Sequence, residues 1–305
     1  MKIALLVPCY NEEKTIAQVI NDFKKYLPQA EIYVYDNNSS DATSKIALEN
    51  GAHVKHEYQQ GKANVVRSMF RQIEADIYIM VDGDNTYPAS QVDKLLEVME
   101  KRDCDMVVGD RLSNGTYGKE NSRAFHNLGN NLVRVLINFI FKAKLTDIMT
   151  GYRVFSKRFV KNYPVMCSGF ELETEMTIYA LNNNLNIAEV PIDFIDRPEG
   201  SFSKLNTFTD GRKVILTIFN LFRHYKPLQF FGSISLFIII ISMFFGIPPI
   251  IEYFKFHYVY RVPSAILASG LMIIALLTIA IGLILDTIAI NDKKQIQIQL
   301  QKKLN

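Results

Sequence analysis

Two aspartates with one glycine between them, Asp82-Gly83-Asp84, close the apolar run Ile77-Tyr78-Ile79-Met80-Val81. Such a run of β-favouring residues predicts a strand buried on both faces, so both carboxylates leave its C-terminal end together. Acids held this close repel one another unless a cation lies between them, and hard divalent ions take carboxylate oxygen. In an open α/β sheet the carboxyl end of a strand is also where ligands bind. Alone the triplet says little, because acidic turns after strands are common. The rest of the chain decides what it means.

The elements around it alternate. Ile3 to Val7 reads as an apolar strand, followed by the polar turn Pro8-Cys9-Tyr10-Asn11-Glu12-Glu13. Thr15 to Tyr26 carries Ile16, Val19, Ile20 and Phe23 at helical spacing. A second strand, Glu31 to Tyr35, ends in Asp36-Asn37-Asn38-Ser39-Ser40-Asp41, residues that turn the chain and offer caps to a helix over 42–50. A weaker strand over 53–57 precedes Gly61-Lys62, which opens a helix through Ile73; a helix over 89–101 and a strand over 105–109 follow the acidic triplet. Strand and helix joined by short links imply a mostly parallel sheet covered on both faces. Further helices are expected over 121–142 and 206–224, each packed on the sheet or, for the second, amphipathic one above all, lying in a membrane interface.

Hydropathy is uneven. Leu228 to Ile251 and Ala265 to Leu285 contain no charged residue, and each meets the roughly 20 residues a membrane-spanning helix needs. The polar stretch between them, 252–264, suits a turn outside the bilayer. Lys213, Arg223 and Lys226 precede the first span and Lys293, Lys294, Lys302 and Lys303 follow the second, against Lys255 and Arg261 in the loop. By the positive-inside rule both termini and the N-terminal domain are expected in the cytoplasm of a multi-pass plasma-membrane protein. Met1-Lys2 leads straight into a strand-like run, with no signal-peptide pattern. The expected division is a catalytic domain over 1–205, a juxtamembrane helix over 206–227, a transmembrane hairpin over 228–290 and a basic tail over 291–305. A net charge of +3 gives no reason to expect nucleic acid, and Cys9, Cys104 and Cys167 show no metal or redox spacing. No Gly-x-Gly-x-x-Gly follows any strand, which counts against a dehydrogenase.

Pro8-Cys9-Tyr10-Asn11-Glu12, the Asp36 to Asp41 turn, Gly61-Lys62-Ala63-Asn64 and Asp82-Gly83-Asp84 occur in the order and spacing of family 2 glycosyltransferases. The chain resembles the polyprenyl-phosphate hexosyltransferases of that family, those similar to dolichyl-phosphate mannose synthase and to the bacterial undecaprenyl-phosphate glucosyltransferases. The resemblance extends through Asp147-Ile148-Met149-Thr150-Gly151-Tyr152-Arg153 and through Arg197-Pro198-Glu199-Gly200-Ser201-Phe202-Ser203-Lys204. It implies a GT-A type, Rossmann-like α/β domain followed by two transmembrane helices. The implied reaction is inverting transfer of a hexose from a nucleotide sugar, UDP-glucose or UDP-N-acetylglucosamine first, to a polyprenyl phosphate on the cytoplasmic leaflet.

Roles follow from the resemblance position by position. Pro8, Tyr10, Glu12 and Asp36 correspond to the nucleoside pocket, with helix capping the ordinary alternative for the two acids and the expected role of Asp41. Lys62, and Arg67 beside it, fall near the sugar nucleotide, where Lys62 either touches phosphate or is simply solvated. Asp82 also belongs to the donor site and, with Asp84, to the metal pair for Mg²⁺ or Mn²⁺; Asp84 is the expected direct ligand. Where many relatives carry glutamine two residues on, this chain has Thr86, which leaves a third protein ligand open. Asp147 matches the residue held to be the general base. The acceptor, however, is a phosphate monoester with a second pKa of about 6, already largely dianionic at neutral pH, so orienting the acceptor or removing a residual proton is the better expectation. Arg111, Arg153, Arg197, Ser203 and Lys204 supply guanidinium forks and donors for acceptor and diphosphate oxygens. Glu171, Glu173 and Glu175 are expected to order a loop. Self-association as a tetramer is a family precedent. The alternatives are a membrane-anchored family 2 transferase acting on a glycolipid or polysaccharide, and an inactive nucleotide-sugar-binding adaptor. The absence of tryptophan removes the Gln-x-x-Arg-Trp signature of processive synthases.

Overall fold

The computed structural model describes residues 1–115, 124–167, 169, 171–197 and 207–302, with side chains for all of these except 124–130, 207–214 and 301–302. The chain forms two compact units, one of residues Met1–Ile218 with the chain end from Gln299, the other of residues Phe219–Ile298.

In the first unit β1 (Ile3–Cys9), α1 (Ile16–Tyr26), β2 (Ala30–Asp36), α2 (Thr43–Glu49), β3 (His53–His56), α3 (Lys62–Gln72) and β4 (Ile77–Met80) alternate as the sequence predicts. Parallel strands need crossovers, and each helix here supplies one. After a short 3-10 turn, Ala89–Gln91, come α4 (Val92–Lys101), β5 (Met106–Asp110), α5 (Ala124–Phe141), β6 (Arg153–Ser156), α6 (Lys157–Asn162), α7 (Leu172–Asn182), β7 (Ile187–Pro191) and α8 (Thr207–Tyr225). The strands form one sheet in the order β3-β2-β1-β4-β6-β5-β7. Only β6 runs against its neighbours; the remaining pairs, β1 with β2 and β4, β2 with β3, and β5 with β7, are parallel.

The alternation of side chains along each strand fills both faces. Ile77 and Ile79 of β4 and Val154 of β6 join Ile16, Val19, Ile20 and Phe23 of α1 and Val92, Leu95 and Met99 of α4 in one core. Tyr78 and Phe155 point the other way, into an aromatic cluster with Phe70, Phe159, Tyr163 and Tyr179. β6, α6, α7 and β7 were not anticipated. β6 is four residues long and begins with a buried arginine, and α7 is buried on nearly every side, so neither shows a period.

β1, β2 and β4 end side by side, with Cys9 in register with Asp36 and Leu6 with Met80. The turns beyond all three pass through a left-handed asparagine, Asn11 (φ 53°), Asn38 (φ 63°) and Asn85 (φ 59°). Asparagine is among the few non-glycine residues that enter this region readily. The three turns thus fold back tightly at one edge of the sheet.

The second unit is a helical hairpin. α9 (Pro227–Phe256) and α10 (Val262–Lys302) are each long and apolar enough to cross a membrane. Both extend past the charge-free stretches, because helix formation does not stop where the apolar residues do; the connection shrinks from the expected 252–264 to 257–261. His257 ends α9 in a left-handed conformation, and Glu252 accepts the Tyr260 and Arg261 N–H groups at 3.1 Å each. Across the hairpin the Ser235 hydroxyl donates to the Ala275 carbonyl (2.7 Å) and that of Ser242 to the Ala268 carbonyl (2.8 Å).

At Gly109, near the end of β5, an added Cβ would lie 2.6 Å from Ile192 Cδ1 and 3.2 Å from the Tyr152 carbonyl oxygen. Gly109→Ala is therefore expected to destabilise the first unit by about 1–3 kcal/mol. Thermal unfolding of the purified protein checks this, and an unchanged midpoint contradicts the packing described.

Candidate active site

The first two turns are built around buried acids. The Glu12 carbonyl accepts from the Thr15 (3.1 Å) and Ile16 (3.0 Å) N–H groups, starting α1, while its own N–H donates to Thr43 Oγ1 at 2.8 Å. The Thr15 hydroxyl donates to the Gly83 carbonyl at 2.7 Å and so ties this turn to the acidic triplet. Asp36, buried at the end of β2, is bonded by the Ser39 hydroxyl, by the Ser44 hydroxyl at 2.8 Å and by His56 Nδ1 at 3.3 Å. Asp41 accepts the Thr43 N–H at 3.0 Å from just outside the helix, whose N-cap position is Ala42 and not Asp41 as expected. Pro8 is half-buried and Tyr10 is 39% exposed, an open aromatic wall next to these acids in sequence. Asn37, which sequence reasoning passed over, accepts the Gly61 N–H at 2.7 Å and donates to the Glu57 and Gln59 carbonyls at 2.8 Å, fixing the loop that delivers Lys62.

Lys62 is not a solvated surface lysine. Its ammonium lies 2.5 Å from Asp82 Oδ1 and 2.7 Å from Glu173 Oε1. Burial works against its charge, but the two carboxylates outweigh that and hold it above the ordinary lysine value. Glu173, placed by α7 and expected only to order a loop, is thus joined to the site; one acid among three at alternate positions gives no sign of its direction. Its neighbours do order a loop, Glu175 accepting the Met166 (2.9 Å) and Cys167 (2.8 Å) N–H groups and Glu171 the Gly169 N–H (3.3 Å). Arg67 braces the same loop through the Val165 and Cys167 carbonyls, at 2.9 and 2.8 Å.

Asp84 is buried, and both its oxygens are engaged. Oδ1 accepts the Thr86 hydroxyl at 2.7 Å and Oδ2 meets Arg197 Nη2 at 2.5 Å. Burial, reinforced by the Asp82 charge, raises its pKa against the pull of Arg197. Thr86 therefore supports Asp84 through its proton. Close packing fixes both sides of the triplet. A Cβ at Gly83 would fall 2.8 Å from Cys9 Sγ, and one at Gly151 would fall 2.9 Å from Asp82 Cγ.

Gly151 belongs to the loop that carries Asp147, and that loop is pinned at almost every residue. Glu189 of β7 accepts the Thr146 and Asp147 N–H groups at 2.9 Å, and the Tyr87 hydroxyl accepts the Gly151 N–H at 2.9 Å. Arg153, at the start of β6 and 0% exposed, donates to the Ile148 carbonyl (2.5 Å), the Thr150 carbonyl (3.0 Å) and Thr177 Oγ1 (3.0 Å). The structure thus places Arg153 inside the sheet, clamping the loop from beneath, where the resemblance pointed to phosphate oxygens. Arg111 forms a bidentate pair with Asp147, Nε to Oδ2 at 2.7 Å and Nη2 to Oδ1 at 3.0 Å. Burial alone would raise the Asp147 pKa, but the guanidinium holds it below the usual aspartate value. Ser203 and Lys204 lie outside the described residues.

The Asp147 pair has a pH signature. A native carboxyl held below its unfolded value of about 3.9 contributes stability that is fully present above that value and is lost as pH falls through the native one. Asp147→Asn leaves Arg111 buried without its counter-charge and is expected to cost about 3 kcal/mol at neutral pH. Melting curves of wild type and variant should converge on acidification below about pH 4; a constant gap refutes the ion-pair account. Gly151→Ala, whose Cβ would displace the Asp82 carboxylate, is expected to cost about 1–3 kcal/mol of stability, read by thermal unfolding.

A model of the glycosyl transferase family 2 domain matches residues 4–163, just over half of the chain. Over 234 residues the chain is 32% identical to glycosyltransferase AglJ of Haloferax volcanii, covering 76% of each protein. It is 26% identical over 232 residues to the undecaprenyl-phosphate mannosyltransferase of Micrococcus luteus, covering 70% of this chain and 92% of that one. Among solved structures, glucosyl-3-phosphoglycerate synthase of Mycobacterium tuberculosis, in complex with Mn²⁺, UDP and phosphoglyceric acid, superposes with a TM-score of 0.60 at 20% identity, over 72% of this chain and 78% of that one. That likeness concerns the fold, a GT-A type sheet. The chain belongs to glycosyltransferase family 2, within which it resembles the polyprenyl-phosphate sugar transferases.

Proposed function

We propose that the protein transfers a hexose from a nucleotide sugar, UDP-glucose or UDP-N-acetylglucosamine, to a polyprenyl phosphate such as undecaprenyl phosphate, with inversion at the anomeric carbon. The observation that carries this is the joining of Asp82 and Asp84 to the cations Lys62 and Arg197 at one edge of the sheet. Acids for a metal and cations for phosphate are what a diphosphate donor and a phosphate acceptor require together. The lipid acceptor is supported by the Micrococcus relative and by the two helices able to cross a membrane. The basic residues flanking those helices support an orientation with the transferase unit in the cytoplasm.

The acidic pair fits Mg²⁺ or Mn²⁺. Asp84 is a buried carboxylate strained by the charge of Asp82, and among the described residues no group of three or more acids, histidines or cysteines forms an all-protein cage. Mg²⁺ characteristically combines one or two carboxylates with substrate phosphate oxygens and water. When bound, such an ion supplies neutralisation of the charge gathering on the departing diphosphate; the Mn²⁺ and UDP of the mycobacterial structure support the same reading.

In the transfer, an acceptor phosphate oxygen forms a bond to C1 of the sugar as the bond from C1 to the diphosphate oxygen breaks, and the nucleoside diphosphate leaves with that electron pair. The acceptor arrives largely deprotonated, its second pKa being about 6. Asp147 is occupied at both oxygens by Arg111 and held ionised, so its role is to orient Arg111 rather than to take a proton. Pro8, Tyr10, Glu12 and Asp36 enclose the nucleoside, and Lys62 holds Asp82 in place beside it. Self-association, as a tetramer or otherwise, stays part of the proposal.

Membranes containing the protein, incubated with polyprenyl phosphate and radiolabelled UDP-glucose, UDP-N-acetylglucosamine or GDP-mannose, are expected to yield an acid-labile labelled lipid from a UDP-sugar. No labelled lipid from any donor would sink the proposal. Asp84→Ala should lower transfer by roughly 10²–10³ and abolish its response to Mg²⁺ or Mn²⁺.

A further inference from the structure

Three carboxylates, Asp82, Asp84 and Glu173, share two cations, Lys62 and Arg197, and the two cations are held very differently. Lys62 is bridged between acids from two elements, the end of β4 and α7, and its side chain is 12% exposed. Arg197 comes from the segment after β7, meets one acid of the three and is 26% exposed. Asp84 offers no vacant oxygen. Thr86 occupies Oδ1 through its hydroxyl at 2.7 Å and its N–H at 3.3 Å, and Arg197 occupies Oδ2 at 2.5 Å. An ion about 2.1 Å from Oδ2 would lie beside a guanidinium nitrogen 2.5 Å from the same oxygen, and the two like charges compete for it.

We infer that Arg197 is a place-holding counter-ion, displaced from Asp84 when a divalent cation arrives with the nucleotide sugar and released to grip the phosphate of the acceptor. The inference rests on the proposed function and adds to it an order of binding. Without the donor, Asp84 neutralises Arg197, and an incoming phosphate meets a guanidinium already engaged. Once the metal takes Oδ2, the same fork is repelled by the ion and drawn to the next anion in reach; its planar pair of N–H donors matches phosphate oxygens. Lys62 cannot serve in this way, because leaving would take the counter-charge from two acids at once, one of them the buried Glu173. Linkage requires the effect to be mutual, so the factor by which metal and nucleotide strengthen acceptor binding equals the factor by which the acceptor strengthens theirs.

The test measures binding rather than turnover. In full-length protein in detergent, Mn²⁺ affinity without nucleotide is read from the electron paramagnetic resonance signal of the free ion. Arg197→Gln is expected to tighten it by about tenfold, the equivalent of a ~1.4 kcal/mol ion pair that no longer has to be broken. Arg197→Lys, which keeps the charge without the fork, should fall between the two. Binding of a short-chain polyprenyl phosphate to wild type should strengthen severalfold when Mn²⁺ and UDP are present, and this response should vanish in Arg197→Gln. Unchanged or weaker Mn²⁺ binding in Arg197→Gln overturns the exchange while leaving the transferase reading intact. Wild-type protein that binds neither Mn²⁺ nor UDP overturns the transferase reading, and the exchange with it.

Discussion

The edge of the sheet where β1, β2 and β4 end is crowded with acids that cannot be buried alone, and much of the surrounding structure answers that constraint. Removing one partner of a buried ion pair costs several kcal/mol, so each carboxylate has to be met by a cation or by hydrogen-bond donors. Asp82 and Glu173 are met by Lys62, Asp84 by Arg197 and Thr86, Asp147 by Arg111, and Asp36 by serine hydroxyls and His56. The cations come from α3, from the segment after β7 and from the turn after β5. Distant parts of the chain are thereby fixed about one small region, and charge neutrality and fold are satisfied by the same contacts.

Beneath that region the structure relies on rigidity. In the loop from Thr146 to Gly151, Glu189 holds the Thr146 and Asp147 N–H groups, Tyr87 that of Gly151, and Arg153 the Ile148 and Thr150 carbonyls. A side chain fixed within a fraction of an ångström loses little entropy when a ligand binds, and preorganised charge needs no rearrangement during a reaction. The three left-handed asparagines do the same for the turns on the other side.

The parallel half of the sheet was legible because its strands are apolar runs closed by polar turns, and Asp82-Gly83-Asp84 stood out because it sets two carboxylates at the end of such a run. The later elements were not. β6 hides because its first residue is a buried arginine, and α7 because a helix surrounded by protein shows no polar face. The same limits apply to the site. Residue types indicated which arginines could hold phosphate, but not which way each points, so Arg153 and Arg197 looked alike although one lies wholly inside and the other reaches Asp84. Lys62 was undecided between surface and site, because the acid that settles it, Glu173, lies far along the chain. Thr86, read as an open question about a metal ligand, proves to brace Asp84.

The antiparallel strand β6 has a consequence for how the protein is made. It sits between β4 and β5, so β4, wholly buried in the finished sheet, has an open hydrogen-bonding edge until residues 153–156 have been synthesised. A nascent chain paused before that point carries β1, β2, β3 and β4 as a half-sheet whose open edge is apolar and able to pair with another chain. The strand that closes this edge is also the one whose arginine sets the Asp147 loop. One strand thus closes the β4 edge and clamps the Asp147 loop, while Glu173, Glu189 and Arg197, made later, complete the site.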